Sequence, residues 1–328
     1  MAIRSVTRFL PIGMAAMFSV ATHAAEYPAR PIRILVGFAA GGSTDAIARF
    51  YAQKLAVELK TPVVVENKPG AGQIVAIKAL KAAPADGYTL YMGTGSALSQ
   101  TPGVQRGTLS YEPLKDFAMV GLVAAAPGVI VVNRDLPVRS LRDLAAYSKA
   151  NPTKLNFGSS GIGSASHLAG AYLSNVAGIT MTHIPYKADA DIVQAMYTGS
   201  VHVGIAPAQG AMAAISNGKV RALAVTGTHR VKVLPEVPSL AEAGISGVEG
   251  LDPYTYYGLV GPKGLPASVA TKLNVAVNRV SREPVSAAQV REKYYAEPRS
   301  GSPDDLRKVI QEDTDKWARF SKHVNVAG

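Results

Sequence analysis

The sequence predicts an α/β fold made of two units of similar size. Short buried strands alternate with helical segments along the chain, and the same alternation repeats from Ala126 onward. Short connections from strand to helix to strand favour parallel strands joined by right-handed crossovers. With 328 residues, of which 48% are hydrophobic and 17% charged, the chain has ample apolar material for two such units.

The first unit begins with a strand predicted over Ile32–Phe38 and a helix over Asp45–Leu59. Within that helix segment the apolar side chains recur at helical spacing and form one stripe. The rest of the unit is predicted, in chain order, as a strand over Pro62–Val65, a turn-rich loop "ENKPGAGQ", a helix over Ile74–Ala82 and a strand within "PADGYTLYMGTGS".

The second unit repeats this order. It is predicted as a strand over Ala126–Asn133, a helix in "SLRDLAAYSKANP", a strand over Leu155–Gly158, a helix after "GSSGIGS", a strand in "THIPY", a helix in "DIVQAMYTG", a strand in "HVGIAP", a helix over Ala211–Asn217 and a strand over Val220–Thr226. Proline-rich joints follow, and then two helices are predicted over Pro266–Val280 and Pro303–His323.

The N-terminus has the pattern of a secretory signal peptide. Arg4 and Arg8 precede a mostly apolar run, Phe9–Ala21, and small residues follow in "ATHAAEYP". The apolar run is well short of the roughly 20 residues that a membrane span needs. We therefore expect residues 1–25 to be removed, with cleavage after Ala24 or Ala25, and the mature protein to be periplasmic.

Composition and motifs argue against several classes of protein. The formal net charge is +11, but the basic residues are scattered and only 7% of residues are aromatic, so nucleic acid is not an expected partner. There is no cysteine, and the six histidines lie singly, so no metal site is predicted. No dinucleotide, P-loop or G-x-S-x-G motif is present, and no cofactor is expected. A Ser–His–Asp triad assembled in space stays open.

Loops of small residues follow strand ends in both units, at Ala39–Thr44, Thr94–Ser99 and Ser159–Ser166. Ligands of open α/β sheets bind outside the carboxyl ends of the strands. A helix N-terminus offers unpaired N–H groups and a partial positive charge, which an anion can reach when side chains are small. Two such cradles facing a cleft suit a solute with polar ends, although each loop alone is also compatible with a tight turn that binds nothing.

Four segments together carry a resemblance to a known family: "YPARPIRILVGFAAGGSTDAIAR", "VVVENKPGAGQIVAIKALKAAPADGYTLYMGTGS", "NFGSSGIGSASHLAGAYL" and "HIPYKADADIVQAMYTGSVHVGIAP". From about Tyr27 to its C-terminus the chain resembles the Bug-type solute receptors of tripartite tricarboxylate transporters. The resemblance implies the type II-like periplasmic binding protein fold, with two α/β domains and a ligand cleft between them. We place the domains at residues 26–125 plus 252–328 and at 126–251, with hinges near Leu122–Gly128 and Ser246–Asp252.

The resemblance also implies a function. Such receptors capture a small carboxylate by domain closure and deliver it to the permease subunits of a membrane transporter. They are not enzymes and need no cofactor, and we expect a monomer. Two alternatives stay open from the residues themselves: an exported serine hydrolase that uses a serine of "GSSGIGS", and a sensor accessory that docks on a membrane signalling protein.

Site residues follow from the resemblance by position. One end of the ligand is expected at the loop after the first strand, and the loop matching "GTGS" adds Ser96. The distal end is expected at the second-domain loop. The implied ligand-binding residues are Phe38, Ala40, Gly41, Gly42, Asp45, Ser96, Ser159 and Ser164. For Asp45 the residues themselves favour a structural role, in which it caps N–H groups at the start of its helix.

The chain departs from the family pattern at two places. Gln73 and Val75 replace small residues of the family's "NKPGAGG", and Asp189 and Asp191 stand in "YKADADI" where the family usually has small uncharged residues. Asp191 is expected to cap the following helix. Asp189 is predicted to face the cleft, where it would repel a second carboxylate or hold a cationic or N–H-bearing end. The hypothesis that follows is a carboxylate ligand carrying a donor group.

Overall fold

The structure, a computed structural model, describes residues 26–186, 189–251 and 254–321. The predicted signal peptide lies outside these residues. The strands of the described part are β1 Ile32–Val36, β2 Val63–Asn67, β3 Thr89–Thr94, β4 Phe117–Ala126, β5 Gly128–Asn133, β6 Asn156–Ser159, β7 Thr182–Pro185, β8 Val203–Pro207, β9 Val220–Val225, β10 Thr255–Pro262 and β11 Glu297–Pro298.

Helices connect these strands and cover both faces of the sheets. Their bounds are α1 Ser43–Glu58, α2 Ile74–Lys81, α3 Thr101–Val104, α4 Pro113–Asp116, α5 Leu141–Ala150, α6 Ala165–Val176, α7 Asp189–Tyr197, α8 Ala208–Ser216, α9 Ala267–Arg282, α10 Pro284–Lys293 and α11 Pro303–Phe320. None of the helices in the described ranges is long and apolar enough to span a bilayer.

The strands form two separate sheets. The first has the order β11-β4-β10-β3-β1-β2 and the second the order β7-β6-β8-β5-β9. β1 runs parallel to β2 and β3, and β6 runs parallel to β7 and β8, as the sequence predicts. β10, β4 and β5 run antiparallel to their neighbours, so both sheets are mixed. The chain passes between the sheets at Pro127, because β4 ends at Ala126 and β5 begins at Gly128.

The structure differs from the sequence predictions at three places. The segment Thr94–Ser99 was expected to be a loop, but a π-helical turn over Ser96–Gln100 leads directly into α3. Asp191 was expected to cap the following helix, but α7 begins two residues earlier, at Asp189, so Asp191 lies inside the helix.

The long strand β4 was not predicted, because its sequence "FAMVGLVAAA" is rich in small residues and carries little β-branched alternation. It pairs with β10 from end to end, and Thr255 to Pro262 of that partner are buried throughout.

Each sheet has its own hydrophobic core on both faces, and the last helix connects the two. In α11, Leu306 and Ile310 pack in a cluster of the first sheet, against residues such as Tyr91. Trp317 of the same helix lies in a cluster of the second sheet, where its ring meets that of Tyr172 edge to face with the ring centroids 6.1 Å apart. The C-terminal helix therefore packs on both sheets, although the chain leaves the second sheet well before it begins.

A buried tyrosine joins three elements of the first sheet's core. Tyr51 of α1 is fully buried, and its hydroxyl lies 3.0 Å from the carbonyl oxygen of Val123 in β4. The same hydroxyl lies 2.9 Å from Oγ of Ser281 in α9. Burial raises the pKa of Tyr51 to about 12, so the group stays a neutral donor.

We expect Tyr51→Phe to lower the free energy of unfolding by about 1 kcal/mol, because a buried hydrogen bond is lost while the ring keeps its packing. Urea denaturation followed by circular dichroism measures the change. Tyr147→Phe on the half-buried face of α5 is the matched control, and it should leave the unfolding midpoint unchanged. Equal midpoints for all three proteins would contradict the role given to the Tyr51 hydroxyl.

Candidate ligand-binding site

A cavity of about 530 Å³, its open mouth included, lies where loops of both sheets meet. β1, β3, β6 and β8 all end beside it, as expected for ligand sites of α/β sheets. The lining residues come from three parts of the chain. The loops of the first sheet contribute Phe38, Ala39, Gly42, Ser43, Thr44, Thr94 and Ser96, and those of the second sheet contribute Ser160, Ala165, Ser166 and Pro207. The start of β10, with the residue before it, contributes Tyr254, Thr255 and Tyr257.

Two helix N-termini face this cavity. In α1 the first backbone bond is donated by Ala46 to Gly42, so the N–H groups that precede it have no acceptor within the helix. In α6 the first such bond is donated by Leu168 to Ser164, and the residues before it, Ala165 and Ser166, line the cavity. Both helices are long enough to place a partial positive charge at this wall.

The side-chain chemistry of the cavity is polar but uncharged. None of the described residues that line it is acidic or basic. Ser43 is 5% exposed, yet its Oγ has no hydrogen-bond partner among the described residues. A buried hydroxyl without a partner is costly unless something outside the protein satisfies it. Free amide donors, a free hydroxyl and two helix N-termini together make an anion site.

Of the two glycines before α1, Gly41 is needed for its backbone conformation rather than for space. Gly41 has φ +89°, a left-handed value that disfavours other residues, and a Cβ added there would meet nothing within 4 Å. Gly42 occupies the N-cap position with no side-chain cap. The N-terminus of α1 is therefore open toward the cavity, since no residue of its own covers it.

Asp45 holds the loop before α1 instead of lining the cavity. Its carboxylate is 3% exposed and accepts hydrogen bonds from the Gly41 N–H (3.0 Å), Arg49 Nε (2.9 Å) and Asn67 Nδ2 (2.9 Å). Burial alone raises the pKa of this carboxyl, but the bonds from Arg49, Gly41 and Asn67 outweigh it and hold the pKa below its usual range. Asn67 also donates to the carbonyl oxygen of Phe38, which fixes the loop on its other side.

In the second sheet's loop the serines divide into two groups. Ser159 is fully buried, and its Oγ lies 2.6 Å from His183 Nε2 and 3.2 Å from the Gly161 N–H and carbonyl groups. Ser164 caps α6 by accepting from the His167 N–H. Ser160 and Ser166 instead line the cavity, and their hydroxyls lie 3.2 Å apart. The first pair builds the loop, and the second pair presents hydroxyls to the cleft.

Two stacked histidines support this loop from below. The rings of His167 and His183 lie 4.2 Å apart, and His167 Nδ1 accepts from the Gly163 N–H. Burial, with a smaller contribution from His183, lowers the pKa of His167 to about 4, and burial also lowers the pKa of His183. Both rings are therefore neutral near pH 7, so His167 keeps the lone pair that the Gly163 N–H needs.

Of the residues implied by the family resemblance, Phe38, Gly42 and Ser96 line the cavity. Ala40 and Gly41 lie on the exposed part of the same loop, while Asp45, Ser159 and Ser164 are buried in the structure that supports it. The side chain of Asp189 lies outside the described residues, although its backbone begins α7. The ligand-binding role of all these residues stays a prediction.

The sequence analysis did not single out several lining residues. Ser43, Thr44, Ser160 and Ser166 are immediate neighbours of the residues it named. Successive side chains point in different directions at a strand end or a helix start, and this decides which of two adjacent serines faces the cleft. An error of one residue in the predicted position therefore exchanges the two serines. Tyr254 and Tyr257 also reach the cavity, because β10, which begins directly after Tyr254, is central in the first sheet.

A larger cavity of about 1490 Å³, solvent at its mouth included, adjoins the first. The two cavities share Phe38, Ala39 and Ser160. The larger one is lined by the loop 69–74 of the first sheet and the loop 160–163 of the second. The two domains touch beside this cavity, because Thr101 Oγ1, at the start of α3, donates to the carbonyl oxygen of Gly163 at 2.8 Å. The described cleft is thus a chain of two chambers between the domains.

Comparison with known proteins identifies the family. Residues 47–326 match the model of the tripartite tricarboxylate transporter family receptor, TctC. The chain belongs to this family. The resemblance inferred from the sequence motifs is therefore confirmed, and the matched residues contain every described strand of both sheets except β1.

Solved structures of TctC-like proteins share the fold. The periplasmic binding protein BugD has a TM-score of 0.83 at 31% identity, over 91% of this chain and 99% of that one. Rpa4515 of R. palustris, solved with adipate, gives 0.84 at 31%, over 91% and 98%. MatC of Rhodopseudomonas palustris, with bound malate, gives 0.81 at 28%, over 90% and 100%. The predicted fold class, two α/β domains around a cleft, is confirmed.

We expect Asp45→Asn to lower the free energy of unfolding at pH 7 by about 1–3 kcal/mol, because a charged acceptor of three buried bonds is replaced. The folded pKa is depressed, so the contribution is present above the unfolded value of about 3.9 and is lost as pH falls through the folded value. The difference between the variant and the wild type should therefore shrink below pH 3.

Asp143→Asn is the matched control, measured by the same urea denaturation at pH 7 and pH 2.5. Asp143 also accepts from the N–H four residues earlier, that of Arg139, but it is exposed on α5. Its substitution should cost below about 1 kcal/mol. A variant at Asp45 as stable as the wild type at pH 7 would contradict the structural role.

Proposed function

We propose that this protein is a periplasmic receptor that captures a small carboxylate in the cleft and delivers it to the permease of a tripartite tricarboxylate-type transporter. One observation carries the proposal: the N-termini of α1 and α6, from the two domains, face a single cavity that contains the unpartnered hydroxyl of Ser43. Such a site favours an anion through backbone donors and helix dipoles.

The solved relatives support the choice of carboxylates. Rpa4515 was solved with adipate and MatC with malate, and both share the fold of this chain over about nine-tenths of its length. The cavity of this chain has matching chemistry, since its described lining is polar and free of acidic side chains. We infer that one carboxylate binds at the start of α1 and that the opposite end of the ligand meets Ser160 and Ser166.

Domain closure is the proposed mechanism. We place the domains at residues 26–125 plus 252–328 and at 126–251, and the hinges near the crossing at Pro127 and near the return into β10. A ligand that contacts both helix N-termini interacts with the closed arrangement more strongly than with the open one, and this difference drives closure. The exported location, the monomeric state and the permease partner belong to the same proposal.

The arrangement of Ser159 argues against the serine hydrolase alternative. Its hydroxyl lies 2.6 Å from His183 Nε2, which resembles a nucleophile with its base. However, Ser159 is fully buried, and its oxygen is also bonded within its own loop to Gly161. An acyl group could not reach this oxygen without breaking the loop, so the pair is better explained as a support for the cradle.

A thermal-shift screen tests the receptor function. We expect at least one acid among dicarboxylates, tricarboxylates, amino acids and aromatic acids to raise the melting temperature, since a ligand at a hundred times its Kd adds about 2.7 kcal/mol. Ser43→Ala should lower the affinity for that acid roughly 10- to 100-fold, because a hydrogen bond to a charged group is worth about 1.5–3 kcal/mol. Isothermal titration gives the affinities.

Ser268→Ala, at an exposed serine of α9 that lines neither cavity, is the control and should bind like the wild type. If no acid shifts the melting temperature, or if labelling by a serine-reactive phosphonate is found instead, the receptor proposal fails. Binding that is unaffected by Ser43→Ala would keep the receptor but would move the carboxylate away from the start of α1.

Asp189 gives a separate prediction about the ligand's second end. We infer that its carboxylate faces the cleft and selects an acid that carries a cationic or N–H-bearing group. Asp189→Ala should then lower the affinity for such acids by about tenfold relative to the affinity for simple dicarboxylates. Titration calorimetry with both types of ligand measures this change. An unchanged ligand profile in the variant would end this hypothesis.

A further inference from the structure

Gln73 adopts a backbone conformation that glycine normally provides. Its φ is +77°, and its neighbours Ala71 and Gly72 also have positive values, +47° and +60°. A residue with a side chain is disfavoured in this region unless its surroundings hold it there. Such outliers concentrate at functional sites, and Gln73 lies in the loop that lines the larger cavity of the cleft.

The side chain of Gln73 is buried and makes several hydrogen bonds. It is 1% exposed. Its Nε2 donates to Thr94 Oγ1 and to Ser96 Oγ, both at 2.9 Å. Its Oε1 accepts from the Tyr91 hydroxyl at 2.7 Å and from Thr94 Oγ1 at 3.2 Å. Thr94 and Ser96, whose oxygens lie 2.9 Å apart, line the smaller cavity.

Tyr91 fixes which end of the amide faces which neighbour. Its hydroxyl is fully buried, and burial raises its pKa well above the usual range, so it keeps its proton and donates. Gln73 Oε1 is the acceptor that the described residues place at bonding distance. The opposite orientation of the amide would leave the Tyr91 hydrogen unpaired in the core, at a considerable cost. The two Nε2 hydrogens therefore point at Thr94 and Ser96.

The hydrogens of these groups determine whether the Ser96 hydroxyl acts as a donor or as an acceptor toward the cavity. Thr94 and Ser96 each receive a hydrogen from Gln73, and each has one hydrogen of its own to donate. When Thr94 donates to Gln73 Oε1, the hydrogen of Ser96 can point either to Thr94 Oγ1, 2.9 Å away, or to an acceptor in the cavity. A carboxylate accepts more strongly than a neutral hydroxyl, so Ser96 donates to the ligand when the ligand is bound.

Gln73 also stands between the two cavities. It lines the larger one, while its amide holds the two hydroxyls that line the smaller one. Its Cβ and Cγ fill the space beside Gly37, where an added Cβ would come within 2.5 Å of Gln73 Cβ. Removing this side chain would join the two chambers on the side of the first domain.

We propose that Gln73 is a specificity-determining residue of the cleft: it aims the Ser96 hydroxyl at the ligand's carboxylate and limits the ligand to a short acid by separating the chambers. This inference rests on the proposed carboxylate-binding function and adds the ligand's length. Its two parts are separable, since one depends on the amide hydrogens and the other on the side chain's volume.

The test uses two pairs of acids that differ by two methylene groups: succinate against adipate, and aspartate against 2-aminoadipate. The mature wild-type protein and its Gln73→Gly, Gln73→Glu and Lys60→Gly variants are titrated with each acid by calorimetry. Glycine accepts the positive φ, so Gln73→Gly should fold, and circular dichroism verifies that it does. Lys60→Gly also replaces a residue of positive φ (+50°) by glycine, but Lys60 is exposed after the end of α1 and lines neither cavity.

We expect the wild type to prefer the shorter acid of the pair that it binds. Gln73→Gly should shift the ratio of affinities at least tenfold toward the longer acid. Gln73→Glu keeps the shape but presents a carboxylate that takes the hydroxyl hydrogens and repels the ligand, so binding should weaken at least tenfold for every acid. Lys60→Gly should keep the wild-type ratio within about twofold.

If the wild type binds an acid and Gln73→Gly keeps the wild-type ratio, the inference about length is overturned while the receptor function stands. If Gln73→Glu binds as tightly as the wild type, the inference about the hydroxyl is overturned. If the wild type binds none of the four acids, this inference fails together with the proposed choice of ligand. Should Gln73→Glu fail to fold, the affinity of Gln73→Gly for the shorter acid takes its place, because this variant also lacks the amide: an affinity equal to that of the wild type would overturn the inference about the hydroxyl.

Discussion

Open backbone N–H groups at the starts of α1 and α6 are the constraint on which the rest of the cleft depends. To remain available, they need loops that bring no large side chain in front of them, and such loops have little cohesion of their own. The structure supplies that cohesion from behind, through Asp45 in the first domain and through Ser159, Ser164 and His167 in the second. The side chains of Asp45 and Ser159 therefore make their hydrogen bonds within the supporting structure and do not line the smaller cavity.

This division of labour explains why an uncharged cavity is suited to an anion. A lysine or arginine in the cleft would attract a carboxylate, but it would also have to be desolvated on closure and would bind almost any anion. Backbone amides and hydroxyls are already oriented and lose little solvation when a ligand replaces water. Selectivity then depends on the shape of the cavity and on the direction of a few hydroxyls. One of these is the hydroxyl of Ser96, which the amide of Gln73 orients in the proposed arrangement.

Much of this fold could be predicted from the sequence, because glycine and proline mark its element ends. The bounds of β1, α1, α2 and the start of α11 agree with expectation to within about two residues. β4 escaped prediction because its small residues lack a strand pattern, and its place in the sheet depends on pairing with distant β10. For the site, the sequence located the loops, but the choice between Ser159 and Ser160 depends on side-chain direction. The left-handed φ of Gln73 does not follow from its residue type, and the one signal for it is the small residue that the family has at this position.

The position of the two helix N-termini on different domains couples ligand charge to closure. Each terminus alone offers an exposed and weak anion site, since the dipole effect near water is worth about 0.3–1 kcal/mol. With both termini on one ligand and water displaced, the same groups act in a lower dielectric and stabilise the charge more strongly. A ligand can shift the equilibrium only by its difference in affinity for the two states. An uncharged analogue of the same size would gain little from the second terminus, so it would leave the domains largely apart.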